Sequence, residues 1–228
     1  MSIEYVFLIV ICLIAIYSIY INLKVIGDIQ YKLMVIVCTV LFIFSSTRYV
    51  TLIIYGDNPM YSTLESFKYF YYATSIGLTG TTLSALWYAT PLYREKIKYP
   101  YLLLLYLPFA LFYLYVIITQ PTTIVKSSGI GYEIILNPPF QIYLAIVQGT
   151  FVTIVILASL IGIFKYKNME IRTKLILIIL AQILLTLDGL GSFGEGSNII
   201  PPFTLTEAFA FWSIYYTISK PVKNLKSL

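Results

Sequence analysis

The stretch that decides the fold is FIFSSTRYVTLIIYG, residues 42–56, an apolar and aromatic run with one arginine, Arg48, inside it. The apolar run extends over residues 33–55, which is long enough to cross about 30 Å of hydrocarbon as a helix. A guanidinium inside a membrane span is costly unless it has a partner or a wet cavity. This stretch therefore predicts both a membrane-spanning helix and a buried polar site.

The composition of the whole chain is typical of a membrane protein. Of its 228 residues, 59% are hydrophobic and 11% are charged, whereas soluble globular domains carry about 25% charged residues. Because so few charges cannot cover a globule, the bilayer is the expected solvent. At this length we expect one domain, residues 1–228, with no second folded domain.

Seven apolar runs are long enough to span a bilayer. The first lacks a basic N-terminal region and carries Glu4, so we interpret it as a retained helix and not as a signal peptide. The sequence therefore predicts an all-α integral membrane protein with seven transmembrane helices. Their predicted bounds are 5–23, 33–55, 69–92, 99–120, 141–164, 172–194 and 202–219.

The basic residues predict the orientation of the chain. Twelve of the 15 lie between spans 1 and 2, 3 and 4, or 5 and 6, at the adjoining span ends, or after span 7: Lys24, Lys32, Arg94, Lys96, Lys98, Lys165, Lys167, Arg172, Lys174, Lys220, Lys223 and Lys226. The positive-inside rule places these on the cytoplasmic side of a cell membrane, with the N-terminus outside and the C-terminus in the cytoplasm. Topology thus explains the net charge of +5, and direct nucleic-acid binding is not expected.

The longest outer connection is QPTTIVKSSGIGYEIILNPPF, residues 120–140, between the fourth and fifth spans. Two runs rich in β-branched residues surround SSGIG, which predicts a β-hairpin over the outer mouth. An irregular loop held by prolines at each end is the alternative.

Three ionisable side chains are candidates for one buried cluster: Arg48 on the second span, Asp188 on the sixth and Glu207 on the seventh. At 1.5 Å per residue, all three fall at a similar depth near the outer surface. We therefore predict that Arg48 bonds Asp188, Glu207, or both, in a polar pocket that opens outward. A static salt bridge that fixes helix packing is the alternative.

Other polar side chains are expected to line this pocket and its continuation. Depending on the rotation of the second helix, either Ser45 and Ser46 or Thr47 and Thr51 lie around Arg48. Polarity would extend inward through Gln182, Thr186 and Gln148 as further candidates for a ligand or ion pathway. If the protein transports a solute, Arg48 would hold an anionic group or set the acidity of Asp188 for proton coupling.

Small residues recur along the third span, at Ala73, Gly77, Gly80 and Ser84. Intervals of four, three and four residues place them on one helix face, where they permit close approach of another helix backbone. We interpret this face as a packing surface, with pore lining as the alternative.

Several kinds of chemistry are not expected from this sequence. It contains no histidine and two separated cysteines, Cys12 and Cys38, so His-ligated metals, His-dependent catalysis and a disulfide framework are excluded. No lysine lies in the middle of the seventh span to hold retinal. The acids Asp188 and Glu207 have no base, nucleophile or metal set beside them in sequence. We expect no enzyme, no cofactor and no metal site.

The second half of the chain resembles the seven-helix sensor region of membrane histidine kinases. GYEIILNPPFQIYLAIVQG, residues 131–149, looks like the outer loop of that region entering its fifth helix. IIPPFTLTEAFAFWSIYYTISKP, residues 199–221, looks like its last span. The resemblance implies a receptor-like module, and because no kinase domain follows Lys220, its signal would pass through a separate partner.

Three functional classes remain open. The first is a small permease, channel or translocation subunit within a larger membrane complex, with a polar pocket around Arg48. The second is the seven-helix receptor or sensor, and the third is a non-catalytic structural subunit of a membrane assembly. Membrane lipid, other membrane or cytoplasmic subunits and a second copy of the chain are the expected partners.

Overall fold

The computed structural model of the chain describes residues 3–57, 59–126, 130–191 and 201–219. They form nine α-helices, one 3-10 helix and one β-hairpin. The helices are α1 (Ile3–Ile26), α2 (Lys32–Gly56), α3 (Tyr61–Phe67), a 3-10 helix (Lys68–Phe70), α4 (Ala73–Ala89), α5 (Pro91–Lys96), α6 (Tyr99–Thr119), α7 (Pro138–Lys165), α8 (Met169–Gly191) and α9 (Thr204–Ser219).

Four helices in the described part of the chain are long and apolar enough to cross a membrane: α1, α2, α6 and α7. The other predicted spans also contain helices, but α4 has 17 residues and α9 has 16. At 1.5 Å per residue, these two are roughly 24–26 Å long. The predicted end of the sixth span at 194 and the basic residues Lys220, Lys223 and Lys226 lie outside the described residues.

The third predicted span, 69–92, is interrupted at both ends. Tyr71 and Tyr72 form a turn between the 3-10 helix and α4. At the other end, Thr90 has extended backbone angles and separates α4 from α5, which begins with Pro91. Proline suits the first helical position because its missing N–H would have no partner there. The continuous helix that the sequence predicts is therefore a shorter helix with two flanking turns.

The β-hairpin that the sequence predicts is present. Strand β1 (Thr122–Lys126) pairs antiparallel with β2 (Tyr132–Leu136), with Thr122 opposite Leu136 and Lys126 opposite Tyr132. The hairpin lies at the end of the helix bundle where α2 and α6 end and α7 begins. Its side chains Ile130, Ile134 and Leu136 are buried, with the first two in the same core as Tyr55 of α2.

Helix α4 is the centre of the bundle. Thirteen of its 17 residues are buried, whereas α7 buries five of 28. Helix α4 packs against α2, α6, α8 and α9, and α1 packs against both α2 and α9. A large core joins α1, α2, α4 and α9, and a smaller core around Phe151, Val155 and Leu175 joins α7 to α8. The central position of α4 brings residues of α2 and α9 together beside it.

Candidate functional site

The centre of the candidate site is a buried ion pair between Arg48 of α2 and Glu207 of α9. The Nε atom of Arg48 lies 3.2 Å from Oε2 of Glu207, and the two residues are 3% and 6% exposed. Among the described residues, Nε has no hydrogen-bond partner, so this contact is an ion pair without a linear hydrogen bond. It joins two residues that are 159 positions apart in the chain.

Two main-chain carbonyls hold the other side of the guanidinium. Arg48 Nη1 donates to the Tyr71 carbonyl at 2.5 Å, and Nη2 donates to the Pro202 carbonyl at 2.9 Å. Both carbonyls belong to non-helical segments, one in the turn before α4 and the other just before α9. In that turn, the Ser75 N–H donates to the Tyr72 carbonyl, which leaves the Tyr71 carbonyl available to Arg48. The turn in the third predicted span thus supplies a partner for the buried charge.

The Glu207 carboxylate has two hydroxyl donors besides the arginine. Tyr49 donates to Oε2 at 2.9 Å and Thr74 donates to Oε1 at 2.6 Å. Glu207 also lies in the first turn of α9, where the positive end of the helix dipole favours a carboxylate. Both of its oxygens are therefore hydrogen-bonded, as a buried carboxylate requires.

We call this set the Arg48 site: Arg48 and Tyr49 from α2, Tyr71 and Thr74 around the start of α4, and Pro202 and Glu207 around the start of α9. The guanidinium carbon also lies 5.1 Å from the centre of the Tyr71 ring, within range of a cation–π contact. Apart from the guanidinium, the site offers carbonyl and carboxylate oxygens and an aromatic face. Such groups can hold a cation or stabilise a conformation.

Asp188 has partners other than Arg48. Its Oδ2 accepts a hydrogen bond from the Phe203 N–H at 3.0 Å and another from the Thr206 hydroxyl at 2.7 Å. Phe203 has a positive φ of 69°, and the Asp188 carboxylate holds its N–H in the segment that enters α9. Of the two carboxylates that the sequence offers to Arg48, the structure pairs it with Glu207. Asp188 instead fixes the contact between α8 and the start of α9.

The remaining candidates for a pathway are Gln182, Thr186 and Gln148, and in the described part of the chain none of them is hydrogen-bonded to Arg48. Gln182 is buried, and its Oε1 has no hydrogen-bond partner among the described residues. The Thr186 hydroxyl donates to the Gln182 carbonyl within α8. Gln148 accepts a hydrogen bond from Tyr113 of α6, so it belongs to the contact between α6 and α7.

The hydroxyls expected around Arg48 bond the backbone of their own helix. Ser45 donates to the Leu41 carbonyl, Ser46 to that of Ile43, Thr47 to that of Phe44 and Thr51 to that of Thr47. The hydroxyls that do contact the ion pair, those of Tyr49 and Thr74, were missed. Thr74 lies one position after Ala73 at the start of α4. No sequence pattern links it to Glu207, which is 133 residues further along the chain.

The small residues of α4 allow a close approach to α2. A methyl group added at Gly77 would lie 1.8 Å from Ser45 Oγ and 2.6 Å from the Leu41 carbonyl oxygen, and one added at Gly80 would lie 2.6 Å from Leu41 Cδ1. Ala73 and Ser84 are buried on the same helix, and the Ser84 hydroxyl contacts the Tyr99 hydroxyl at 2.9 Å. This close approach positions α2, and with it Arg48, against the start of α4.

Two adjacent tyrosines connect the hairpin to the Arg48 site. The Tyr71 carbonyl accepts from Arg48, and the Tyr72 hydroxyl donates to the Ile134 carbonyl of β2 at 3.1 Å. The hairpin also contacts α2 closely, because a Cβ at Gly131 would lie 2.0 Å from the Tyr55 carbonyl oxygen. The position of the hairpin is therefore coupled through short contacts to the segment that holds the guanidinium.

Within residues 3–57, 59–126, 130–191 and 201–219, no group of three histidine, cysteine or acidic residues could hold a metal ion. Comparisons of the chain with protein-family models, curated proteins and solved structures find no match. Any functional conclusion therefore depends on the geometry of the site itself.

Proposed function

We propose that this chain is a multi-pass protein of the cell membrane with seven spans, its N-terminus outside and its C-terminus in the cytoplasm. In this proposal it acts as a small permease, channel or translocation subunit, within a larger membrane complex. The Arg48 site is its gate, meaning the contact that closes the solute path near the outer mouth.

The observation that carries the proposal is the way in which Arg48 is held. Its guanidinium is bound by carbonyls of two non-helical segments, at Tyr71 and Pro202. Interrupted helices with free carbonyls at membrane depth are typical of transporter sites, since irregular backbone there is tolerated where it is buried in protein or lines a cavity. An intramembrane ion pair is also more often part of a functional pathway than one at a protein surface.

The gate is closed in the conformation described. Arg48 and Glu207 are almost completely buried, so the outward-opening pocket that the sequence predicts requires a second conformation. The turn at Tyr71 and residues 201–203 before α9 are non-helical, so the chain can change its backbone angles there without breaking a helix. A movement there would separate the guanidinium from one or both carbonyls and open the site.

Flux measurements in reconstituted vesicles test this proposal. The double variant Arg48→Met, Glu207→Gln removes both charges together and so leaves no unpaired buried charge. The matched control is Glu65→Gln, which breaks the ion pair between Glu65 and Lys68, of nearly the same length at 3.3 Å but more exposed. A panel of small inorganic and organic ions is offered to the wild type and to both variants.

We expect the wild type and Glu65→Gln to carry an ion at the same rate. The double variant should purify intact, but the gate should no longer control its flux. Its flux would be lost or would become constitutive. A double variant with wild-type flux would assign the pair to helix packing alone and would favour the structural class. A wild type that carries no member of the panel would contradict the transport proposal.

A receptor is the second candidate, and one specific observation favours it. Tyr72 bonds the hairpin at Ile134, and the adjacent Tyr71 bonds Arg48. A ligand that moved the hairpin would thus act directly on the buried ion pair, as a sensor requires. A cysteine introduced at Lys167 tests this class through its cross-link to a cytoplasmic partner. A cross-link yield that changes when a ligand is added outside, without flux of that ligand, would support the receptor.

A further inference from the structure

The groups around the Arg48 guanidinium form a cation site that Arg48 itself occupies. The site presents the carbonyl oxygens of Tyr71 and Pro202, the Glu207 carboxylate and the face of the Tyr71 ring. Each of these groups attracts positive charge. The two carbonyls take one terminal nitrogen each, and the carboxylate lies beside Nε, so the arrangement fits the planar fork of a guanidinium.

The oxygens of this site come from elements other than α2, although Tyr49 of α2 also donates to Glu207 Oε2. The Tyr71 carbonyl comes from the turn before α4, the Pro202 carbonyl from the segment before α9, and Glu207 from α9. The Thr74 hydroxyl on α4 fixes Glu207 Oε1. Arg48 comes from α2, so it is a tethered cation in a pocket built mainly by other elements. Removal of its side chain would leave the oxygen set in place.

A buried oxygen without a donor lies on α1, which packs against α9. Asn22 of α1 is 1% exposed, and its Nδ2 donates to the Ser18 and Phe211 carbonyls, each at 2.8 Å. Those two bonds fix which end of the amide is nitrogen, because a reversed amide would place oxygen against two carbonyls. Its Oδ1 consequently remains a buried acceptor with no hydrogen-bond partner in the described part of the chain.

Asn22 contacts α9 about one helix turn beyond Glu207. Phe211, whose carbonyl it contacts, follows Glu207 by four residues, which is about 6 Å of helix rise. The Tyr49 ring lies between these levels, with its hydroxyl on Glu207 and its ring 6.4 Å from that of Phe211. An unsatisfied buried acceptor is unfavourable unless a donor reaches it. A cation with N–H groups that left Glu207 in this direction would supply that donor.

We propose that the Arg48 site binds a small organic cation with N–H donors, an alkylguanidinium or primary ammonium compound, in the place of the Arg48 guanidinium, and that Asn22 Oδ1 is its next contact. This inference rests on the proposed gate, and it adds the chemical class of the solute. Arg48 is then an internal competitor that closes the pocket when the solute is absent. It reverses the expectation from sequence that Arg48 holds an anion.

Binding to purified protein in detergent tests the site separately from transport. The variant Arg48→Ala removes the tethered cation, and ethylguanidinium chloride is the probe. We expect the probe to raise the thermal unfolding midpoint of Arg48→Ala and to bind it in calorimetry. Urea, which has a similar planar shape without charge, and tetramethylammonium, which is charged but has no N–H, should do neither at equal concentration.

Glu207 provides the internal control for that binding. In Arg48→Ala combined with Glu207→Gln, we expect the affinity for ethylguanidinium to fall by more than about tenfold, since loss of one partner of a buried charge pair commonly costs at least that much. The variant Asn22→Leu tests the inner contact. In an otherwise wild-type protein it should slow flux of ethylguanidinium. In the Arg48→Ala background it should leave the binding of ethylguanidinium unchanged. Equal affinity with and without the Glu207 carboxylate would overturn the proposal.

If Arg48→Ala does not purify as a folded protein, Arg48→Lys replaces it. A lysine ammonium is a point charge on a flexible stem and cannot make the two-nitrogen contact of arginine, so added ethylguanidinium should displace it and bind more tightly than to the wild type. No binding to either folded variant would contradict the cation site. Binding to the variants without flux through the wild type would instead keep the site and reject the gate.

Discussion

Replacement of Gly77 by alanine tests the packing that brings Arg48 to its partners. Alanine is the better helix former by about 0.8–1.0 kcal/mol, so helix propensity alone predicts a more stable protein. The structure predicts the opposite sign. The new methyl group would lie 1.8 Å from Ser45 Oγ and 2.6 Å from the Leu41 carbonyl oxygen, both well inside contact distance. The Ser45 side chain can rotate, but the Leu41 carbonyl is part of the α2 backbone and can move only if α2 moves away from α4.

The size of the effect follows from these opposing terms. Overpacking of a close contact typically costs about 1–3 kcal/mol and more where backbone must shift. With the gain in propensity subtracted, Gly77→Ala should be destabilised by about 2 kcal/mol. Gly149→Ala on α7 is the matched control, because nothing lies within 4 Å of its added Cβ. It should be unchanged or slightly more stable, so the two alanine variants should differ by about 2–3 kcal/mol.

Thermal unfolding of the purified protein, followed by tryptophan fluorescence, measures this difference. A change of 1 kcal/mol corresponds to about 2–4 °C for a chain of this size, so Gly77→Ala should unfold about 4–8 °C below the wild type. Ser45→Ala in the Gly77→Ala background should recover part of the loss, since it removes the Oγ contact and leaves the Leu41 contact. If Gly77→Ala is as stable as Gly149→Ala, α2 and α4 are not as close as described.

Two further substitutions give contrasting expectations. Gly131→Ala should release the hairpin, because Gly131 has a φ of 59° and its added Cβ would lie 2.0 Å from the Tyr55 carbonyl oxygen. Hydrogen exchange over residues 132–136 should then become faster, and unchanged protection there would refute the described contact with α2. Asp188→Asn should keep wild-type stability within about 1 kcal/mol, since one amide oxygen can still accept both of its hydrogen bonds. A loss in thermal unfolding as large as that of Glu207→Gln would show that Asp188 belongs to the ion pair after all.

The sequence predicted the helices more accurately than the turns between them. The apolar runs coincide with α1, α2, α6, α7, α8 and α9 to within a few residues, because each run is uniform and ends in polar or proline residues. The turn at Tyr71 and Tyr72 was not predicted. The aromatic run from Tyr69 to Tyr72 contains no proline or glycine to mark an interruption, and nothing in the sequence shows that the freed Tyr71 carbonyl accepts a hydrogen bond from Arg48.

The candidate site was predicted in part for a similar reason. Buried charges must be neutralised, so a single arginine and two acids at one depth predicted a contact, and Glu207 makes it. Asp188 instead bonds the Phe203 N–H, and a main-chain donor of that kind carries no mark in the sequence. The carbonyls of Tyr71 and Pro202 were missed because every residue has a carbonyl, and only the backbone conformation shows which ones are free.

The proposed gate and the proposed cation site both depend on the contact between Arg48 and Glu207. A double-mutant cycle on the free energy of unfolding measures that contact most directly. Arg48→Met and Glu207→Gln should each destabilise the protein by about 3–5 kcal/mol, because each leaves one buried charge without its partner. The double variant should lose clearly less than the sum of the two, with a coupling of about 1–3 kcal/mol. Losses that simply add would contradict the ion pair, and with it both the gate and the cation site.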